Sequence, residues 1–213
     1  VGYFIFDDDN QIRVAGYKPS LDSMFFLPVV LDSEKYFDLK YQVKTKNVIM
    51  GGNDQPQLNV VGDKMVISYP SFSGFLVYDL NSQAQKTFTA ISNSFPSQRE
   101  LPQNYSEEIV SGELQWELGK IWGEGVRYGY INYLKSEDKY LRLVKGEGGR
   151  DAPYFLEVFD NDFQKIKEFN LTAINPDLSP NYLNTKYGLM FRAKDQPDED
   201  VMYYYYVNLS EEK

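Results

Sequence analysis

The sequence predicts an all-β chain folded as a β-propeller of four-stranded antiparallel blades, and three observations predict it. Aromatic residues make up 16% of the chain, with 18 Tyr and 14 Phe, and these side chains favour the half-buried surface of a pleated sheet. Short apolar runs alternate with breaks rich in Gly, Pro, Asn and Asp, without the 3.6-residue period of a helix. The strand–turn pattern also recurs. Leu76-Val77-Tyr78-Asp79 is echoed by Glu157-Val158-Phe159-Asp160 and, more loosely, by Tyr206-Val207-Asn208. Each copy ends on Asp or Asn, whose side chains accept a nearby backbone N–H and so start turns. The copies lie one to two blade lengths apart, a blade being about 40–50 residues. At that length the chain holds about four to five blades. A sandwich or barrel is the alternative that many short strands leave open.

Taken in order, residues 2–6 read as a strand ended by Asp7-Asp8-Asp9-Asn10, and residues 11–17 resume it. Residues 24–31 form an apolar run in which Pro28 marks a bulge or an edge, and 35–43 alternate again. Gly51-Gly52-Asn53-Asp54 with Pro56 reads as a break. Residues 57–61, 64–69, 75–80 and 85–91 then give a second set of four strands. Residues 92–112 read as a long loop with a single helical turn at 106–110, and 113–122 as an extra strand pair or the lead into the next blade. Residues 127–169 hold the clearest set of four. A connection over 170–181 leads to three strands at 182–185, 188–193 and 201–209. One propeller domain over 1–213 follows, with blade-like units at 1–46, 56–91, 113–169 and 182–213.

Composition excludes more than it assigns. The net charge of −9 argues against a nucleic-acid surface, which needs clustered Lys and Arg. There is no Cys and no His. Disulfides, thiolate metal sites, Ser-His-Asp and Cys-His catalysis and His-ligated metals are therefore excluded. No apolar run approaches the roughly 20 residues that span a bilayer. The chain begins at Val1 rather than Met, which reads as a processed or trimmed product. Sequons at Asn104, Asn170 and Asn208 occur at about the frequency chance would give and carry no argument.

The run Tyr140-Leu141-Arg142-Leu143, followed after a long turn by residues 155–163, resembles an uncharacterised group of exported proteins from Bacteroides-type bacteria. So does Gly188-Leu189-Met190-Phe191, followed by Pro197-Asp198-Glu199-Asp200 and an aromatic strand. That group is a domain-of-unknown-function family with a TolB-like, six-bladed propeller, and its members usually carry a lipoprotein signal. The resemblance covers about residues 125–209. It implies that the chain is a propeller or part of a six-bladed one, exported to the periplasm, outer membrane or cell surface and lipid-anchored in its precursor. It implies no activity.

Several residue groups are candidates for a site. Arg127, Arg142 and Arg192 lie on predicted strands. The first strand of a propeller blade lines the central channel, where Arg can hold a carboxylate or sugar hydroxyls. The structural alternative is Arg lying along an aromatic face or pairing between blades. Trp116 and Trp122 flank a Gly-rich segment and can stack on a sugar, or else fill the core. Asp195, Asp198 and Asp200 crowd one loop with Glu199, as Asp7, Asp8 and Asp9 crowd another. Such loops can hold Ca²⁺ or be solvated hairpin tips. Lys145-Gly146-Glu147-Gly148-Gly149-Arg150 lacks the ending of a phosphate loop and reads as a flexible hairpin. The expected function is a monomeric binding module that takes a protein partner, a small ligand or a glycan at the channel face. A glycan hydrolase using two carboxylates on the same fold is the alternative.

Overall fold

The computed structural model describes residues 2–8, 11–31, 40–44, 49–102, 105–106, 111–196, 198, 200–207 and 209. Among these residues the architecture is all-β, with five small sheets. The first contains β1 (Gly2–Asp8), β2 (Gln11–Lys18) and β3 (Ser23–Phe26) as an antiparallel meander. The second begins with β4 (Lys40–Lys44) and β5 (Ile49–Asn53), which pair with each other. The third is the meander β6 (Gln57–Val61), β7 (Lys64–Tyr69), β8 (Phe72–Asp79) and β9 (Gln85–Thr89). The two-residue β10 (Tyr105–Ser106) then adds to β4 in parallel. Helix α1 (Gly112–Glu124) follows. The fourth sheet is β11 (Arg127–Leu134), β12 (Lys139–Lys145), β13 (Tyr154–Phe159) and β14 (Lys165–Asn170). After the one-turn helix α2 (Leu171–Ile174), the fifth sheet is β15 (Leu178–Thr185), β16 (Gly188–Ala193) and β17 (Tyr204–Val207).

Alternation along the strands explains how the sheets stack. On β7 and β8, Met65, Ile67, Leu76 and Tyr78 join Ile12 and Val14 of the first sheet in one core. Their neighbours Val66, Phe75 and Val77 join Ile131, Tyr140 and Phe159 of the fourth sheet in another. Leu141, Leu156 and Val158 in turn pack with Leu178, Leu189 and Phe191 of the fifth sheet. Successive side chains on a strand point to opposite faces. The middle strands are therefore buried on both sides, and their sequences read as nearly unbroken apolar runs. The last strand β9 is largely solvated, and β14 is half-buried.

Four readings of the sequence need correction. Residues 113–122 are helical, not stranded. Ser111 caps α1 by accepting a hydrogen bond from the Leu114 N–H, and the strong helix formers Leu, Glu, Gln and Lys fill it. Gly51 and Gly52 belong to β5 rather than a break, because the Trp122 indole of α1 lies against the bare backbone there. A Cβ on Gly52 would come within 2.3 Å of that ring. β4 does not complete the first set but pairs with β5, and its Val43 packs with Leu118 of α1. Part of the 170–181 connection is α2, capped by the Asn170 side chain accepting from Ala173 N–H at 2.9 Å. Residues 35–39 of the expected strand at 35–43, residues 107–110 of the expected helical turn at 106–110, Asn104 and the Asn208 turn lie outside the described residues, while Ser106 belongs to β10.

The repeated hairpin is observed. The Asp79 carboxylate accepts from the backbone N–H groups of Asn81 (3.0 Å) and Ser82 (2.8 Å). In the next sheet Asp160 accepts from those of Asp162 (3.0 Å) and Gln164 (2.8 Å). The Lys64 ammonium, donating to Asp79 at 2.6 Å, holds that carboxyl well below the usual carboxylate range.

Candidate functional site

The first strands of the third, fourth and fifth sheets are tied edge to edge by side chains. The Asn59 amide on β6 donates to the Ile131 carbonyl (2.9 Å) and to Asn132 Oδ1 (3.0 Å) on β11. Asn132 Nδ2 donates to the Tyr182 hydroxyl on β15 at 2.7 Å. Asn184 of β15 donates to the Tyr133 carbonyl at 2.6 Å. Asn is disfavoured in strands. Its use in these strands makes sense where a neighbouring strand stands alongside with a carbonyl or a side-chain oxygen to accept from it.

β11 is broken where it faces this seam. Tyr128 pairs with Val144 and Ile131 with Arg142, so Gly129 and Tyr130 together oppose Leu143. This is a β-bulge, a device that bends a strand and re-aims a side chain. Position 129 must be Gly, since a Cβ would stand 2.9 Å from the Leu143 carbonyl oxygen. β15 loses register as well, between Leu178 and Tyr182. Between these irregular strands and β6 lies a cavity of about 410 Å³.

Gln57, Arg127, Tyr130, Asn132, Lys145 and Tyr182 supply the polar and aromatic lining, with Leu143 and Tyr154 on the wall. Tyr130 is half exposed. Burial raises the pKa of Tyr182, so its hydroxyl stays protonated and able to donate. Gln57 Oε1 is buried and has no hydrogen-bond partner among the described residues. Arg127 and Lys145 are directly opposite each other across the β11–β12 pair. Arg127 approaches the Asp54 carboxylate at 3.3 Å and shares it with the buried Arg99. Lys145 donates to the Gly123 carbonyl at the end of α1 (2.8 Å). Its pKa is lowered by burial and by the guanidinium groups of Arg99 and Arg127, with Glu124 opposing.

The other candidates are placed elsewhere. Arg142 is fully buried on β12. Its Nε donates to Glu157 at 2.7 Å and its Nη1 to the Ser73 carbonyl of the third sheet at 2.8 Å. Its guanidinium lies over Tyr128, Phe75 and Phe159. Arg192 is exposed on β16, opposite Tyr204. Trp122 lies under the Arg99 guanidinium, 4.4 Å from the ring centroid. Trp116 is exposed on α1, with the Lys120 ammonium 5.4 Å away. Asp198 accepts from the Asp200 N–H at 2.9 Å, a turn contact, and the Asp195 N–H donates to Asp177 at 3.0 Å. Among the described residues, no group of three or more Asp or Glu is gathered as a Ca²⁺ site would need. Asp9 and the side chains of Asp7 and Asp8 lie outside the described residues. No helix among the described residues is long and apolar enough to cross a membrane.

A second cavity of about 360 Å³ opens between the two Asp-capped hairpins and is lined by Lys64, Asp79, Lys86, Phe88, Asn161 and Phe163. Its most charged pair, Lys64 and Asp79, already satisfies itself.

The folded chain is similar to a solved structure. That structure is a member of the DUF4221 family from Bacteroides vulgatus. It superposes with a TM-score of 0.56 at 13% identity over 90% of this chain. The present chain spans 57% of that protein's length. The likeness is one of fold. No family model and no curated protein matches the sequence.

Sequence reasoning found Arg127 but missed Asn59, Asn132 and Tyr182. The signal was available: each of the three first strands carries an Asn that strand propensity disfavours. Gln57 and Lys145 had no such mark, because only the bulge and the neighbouring sheet bring them to Arg127.

Proposed function

We propose that the chain is a propeller-type binding module that takes a small ligand or glycan in the cavity between the first strands of its sheets. Sheets one, three, four and five stack face to face through shared apolar cores. First strands meet through asparagine bridges, the last strand β9 is largely solvated, and the last strand β14 is half-buried. Propeller blades are arranged in this way around a channel, and binding sites on such scaffolds collect at the channel. The whole chain is then one domain.

The observation that carries the function is the cavity lining itself. It combines four tyrosines, two amides and two cations, and among the described residues it holds no Asp or Glu. A two-carboxylate hydrolase needs a pair of acids with one pKa raised. Among the described residues the displaced carboxyl groups, Asp79, Asp138, Glu168 and Asp177, are all displaced downwards. The lining therefore favours binding over hydrolysis.

The resemblance to exported Bacteroides-type proteins supports placing this monomeric module in the cell envelope, lipid-anchored in its precursor. Palmitate labelling of the precursor tests that placement. A thermal-shift screen with glycans and small metabolites, run on the protein and on Tyr130→Ala, tests the function. A ligand should raise the Tm of the first and not of the second. Ligands that stabilise both equally would move the site elsewhere.

A further inference from the structure

We propose that the cavity binds a hydroxylated carboxylate, of the hexuronic-acid type, with its carboxylate held between Arg127 and Lys145. This inference rests on the cavity being a ligand site and adds the chemistry of the ligand.

The first ground is charge. Like charges directly opposite each other across a strand pair repel, yet Arg127 and Lys145 are paired in this way. Nearby Asp54 does not balance them both, because it is shared by Arg99 and Arg127 and also accepts from Ser71 at 3.1 Å. The acceptor of Lys145 is a neutral peptide carbonyl. In a chain with a net charge of −9, the lining gathers two cations. Around them Arg99, Arg127 and Lys145 face the carboxylates of Asp54 and Glu124, which leaves about one positive charge, the charge that a monoanion neutralises. A phosphate dianion would overshoot it.

The second ground is the remainder of the lining. Gln57 Oε1 is a buried acceptor without a donor among the described residues, a costly state that a ligand hydroxyl relieves. The Tyr182 hydroxyl, which accepts from Asn132, keeps its own proton to donate. Tyr130, half exposed beside the bulge, offers a ring face to the apolar side of a sugar ring. Cations at one end, a lone acceptor and aromatic faces along the side match a compact hydroxylated ring bearing one carboxylate. The volume of about 410 Å³ fits one to two such rings.

The test is isothermal titration calorimetry with D-glucuronate, D-galacturonate, a short oligogalacturonate, D-glucose and inorganic phosphate. It is run on the protein, Arg127→Gln and Gln57→Leu. Arg127 is more than half exposed, so Arg127→Gln keeps its fold, which an unchanged Tm checks. A uronate should bind, with glucose weaker by roughly tenfold or more, the worth of a charge-assisted hydrogen bond. Arg127→Gln should erase that preference, and Gln57→Leu should weaken uronate and glucose alike. Monosaccharide binding identifies the free acid as the ligand, whereas binding of the oligomer alone identifies a polymer end. Glucose binding as tightly as glucuronate, or phosphate binding more tightly, overturns the carboxylate assignment while the ligand site stands. If no probe binds and the wider screen finds no ligand sensitive to Tyr130→Ala, the site itself falls.

Discussion

Arg142 and Arg127 sit on neighbouring strands of one sheet, and their surroundings make them different objects. Arg142 is sealed between the third and fourth sheets, with a carboxylate, a carbonyl and three aromatic rings around it. Arg127 is the last member of a chain of charges that starts buried at Arg99 and ends in the open cavity. The same residue type on the same sheet thus serves as a bolt in one place and as a hand in the other. What separates them is position along the strand. Arg142 opposes Ile131 in regular pairing, while Arg127 lies at the start of β11, beyond the bulge at Gly129 and Tyr130.

The sharpest way to break this distinction is Arg142→Met. It leaves Glu157 buried, with Lys165 at 3.4 Å as its nearest cation, and should cost about 3–5 kcal/mol of stability in urea unfolding. Adding Glu157→Leu should recover a large share, because the carboxylate goes with its partner. A single-variant loss below about 1 kcal/mol would mean that Arg142 is not structural. Next in size is Gly129→Ala, whose Cβ meets the Leu143 carbonyl. It should cost about 1–3 kcal/mol and also weaken ligand binding, whereas a change in stability alone would detach the bulge from the site.

Ser111→Ala removes the cap of α1 and should cost about 0.5–2 kcal/mol by thermal or urea unfolding. Because α1 ends on the carbonyl that Lys145 uses, the variant should also shift the Lys145 amine resonance. Arg127→Gln should change stability by less than about 1 kcal/mol, because the Arg127 end of its ion pair is exposed and Arg99 still holds the buried Asp54 carboxylate, and it should act on binding only.

The pH dependence of Lys145 gives the smallest effect. Its pKa in the folded state is lowered from 10.5, so above that lowered value the unfolded chain holds more protons than the folded one. Stability contributed by this group therefore rises with pH between the folded value and 10.5. In the same window the ammonium is lost and anion binding weakens. Lys145→Arg, which stays charged, should keep binding in alkaline buffer, as titrations at two pH values would read.

Strand existence was legible wherever period-2 alternation or a doubly buried apolar run marked it, as from Lys64 to Asp79 and from Lys139 to Phe159. The Asp79 and Asp160 turns were legible because their chemistry is local. Helix α1 was not, since Trp116, Trp122 and four glycines within or beside it read as sheet and loop. Its burial stripe is reduced to Leu118, with Leu114 and Trp122 partly covered. Nor was β5, whose Gly52 makes sense only with Trp122 against it. Of the site, Arg127 was legible as a strand cation. Its partners were not, because Gln57, Lys145 and Tyr182 converge only through sheet stacking and a one-residue bulge.

The most direct measurement is a crystal structure of the protein with D-glucuronate. The carboxylate should lie within hydrogen-bonding distance of both Arg127 and Lys145, with a ring hydroxyl on Gln57 and the Arg142–Glu157 pair unmoved. Density for the sugar in the groove between the Asp79 and Asp160 hairpins, or in the cavity with its carboxylate turned away from Arg127, would contradict the account.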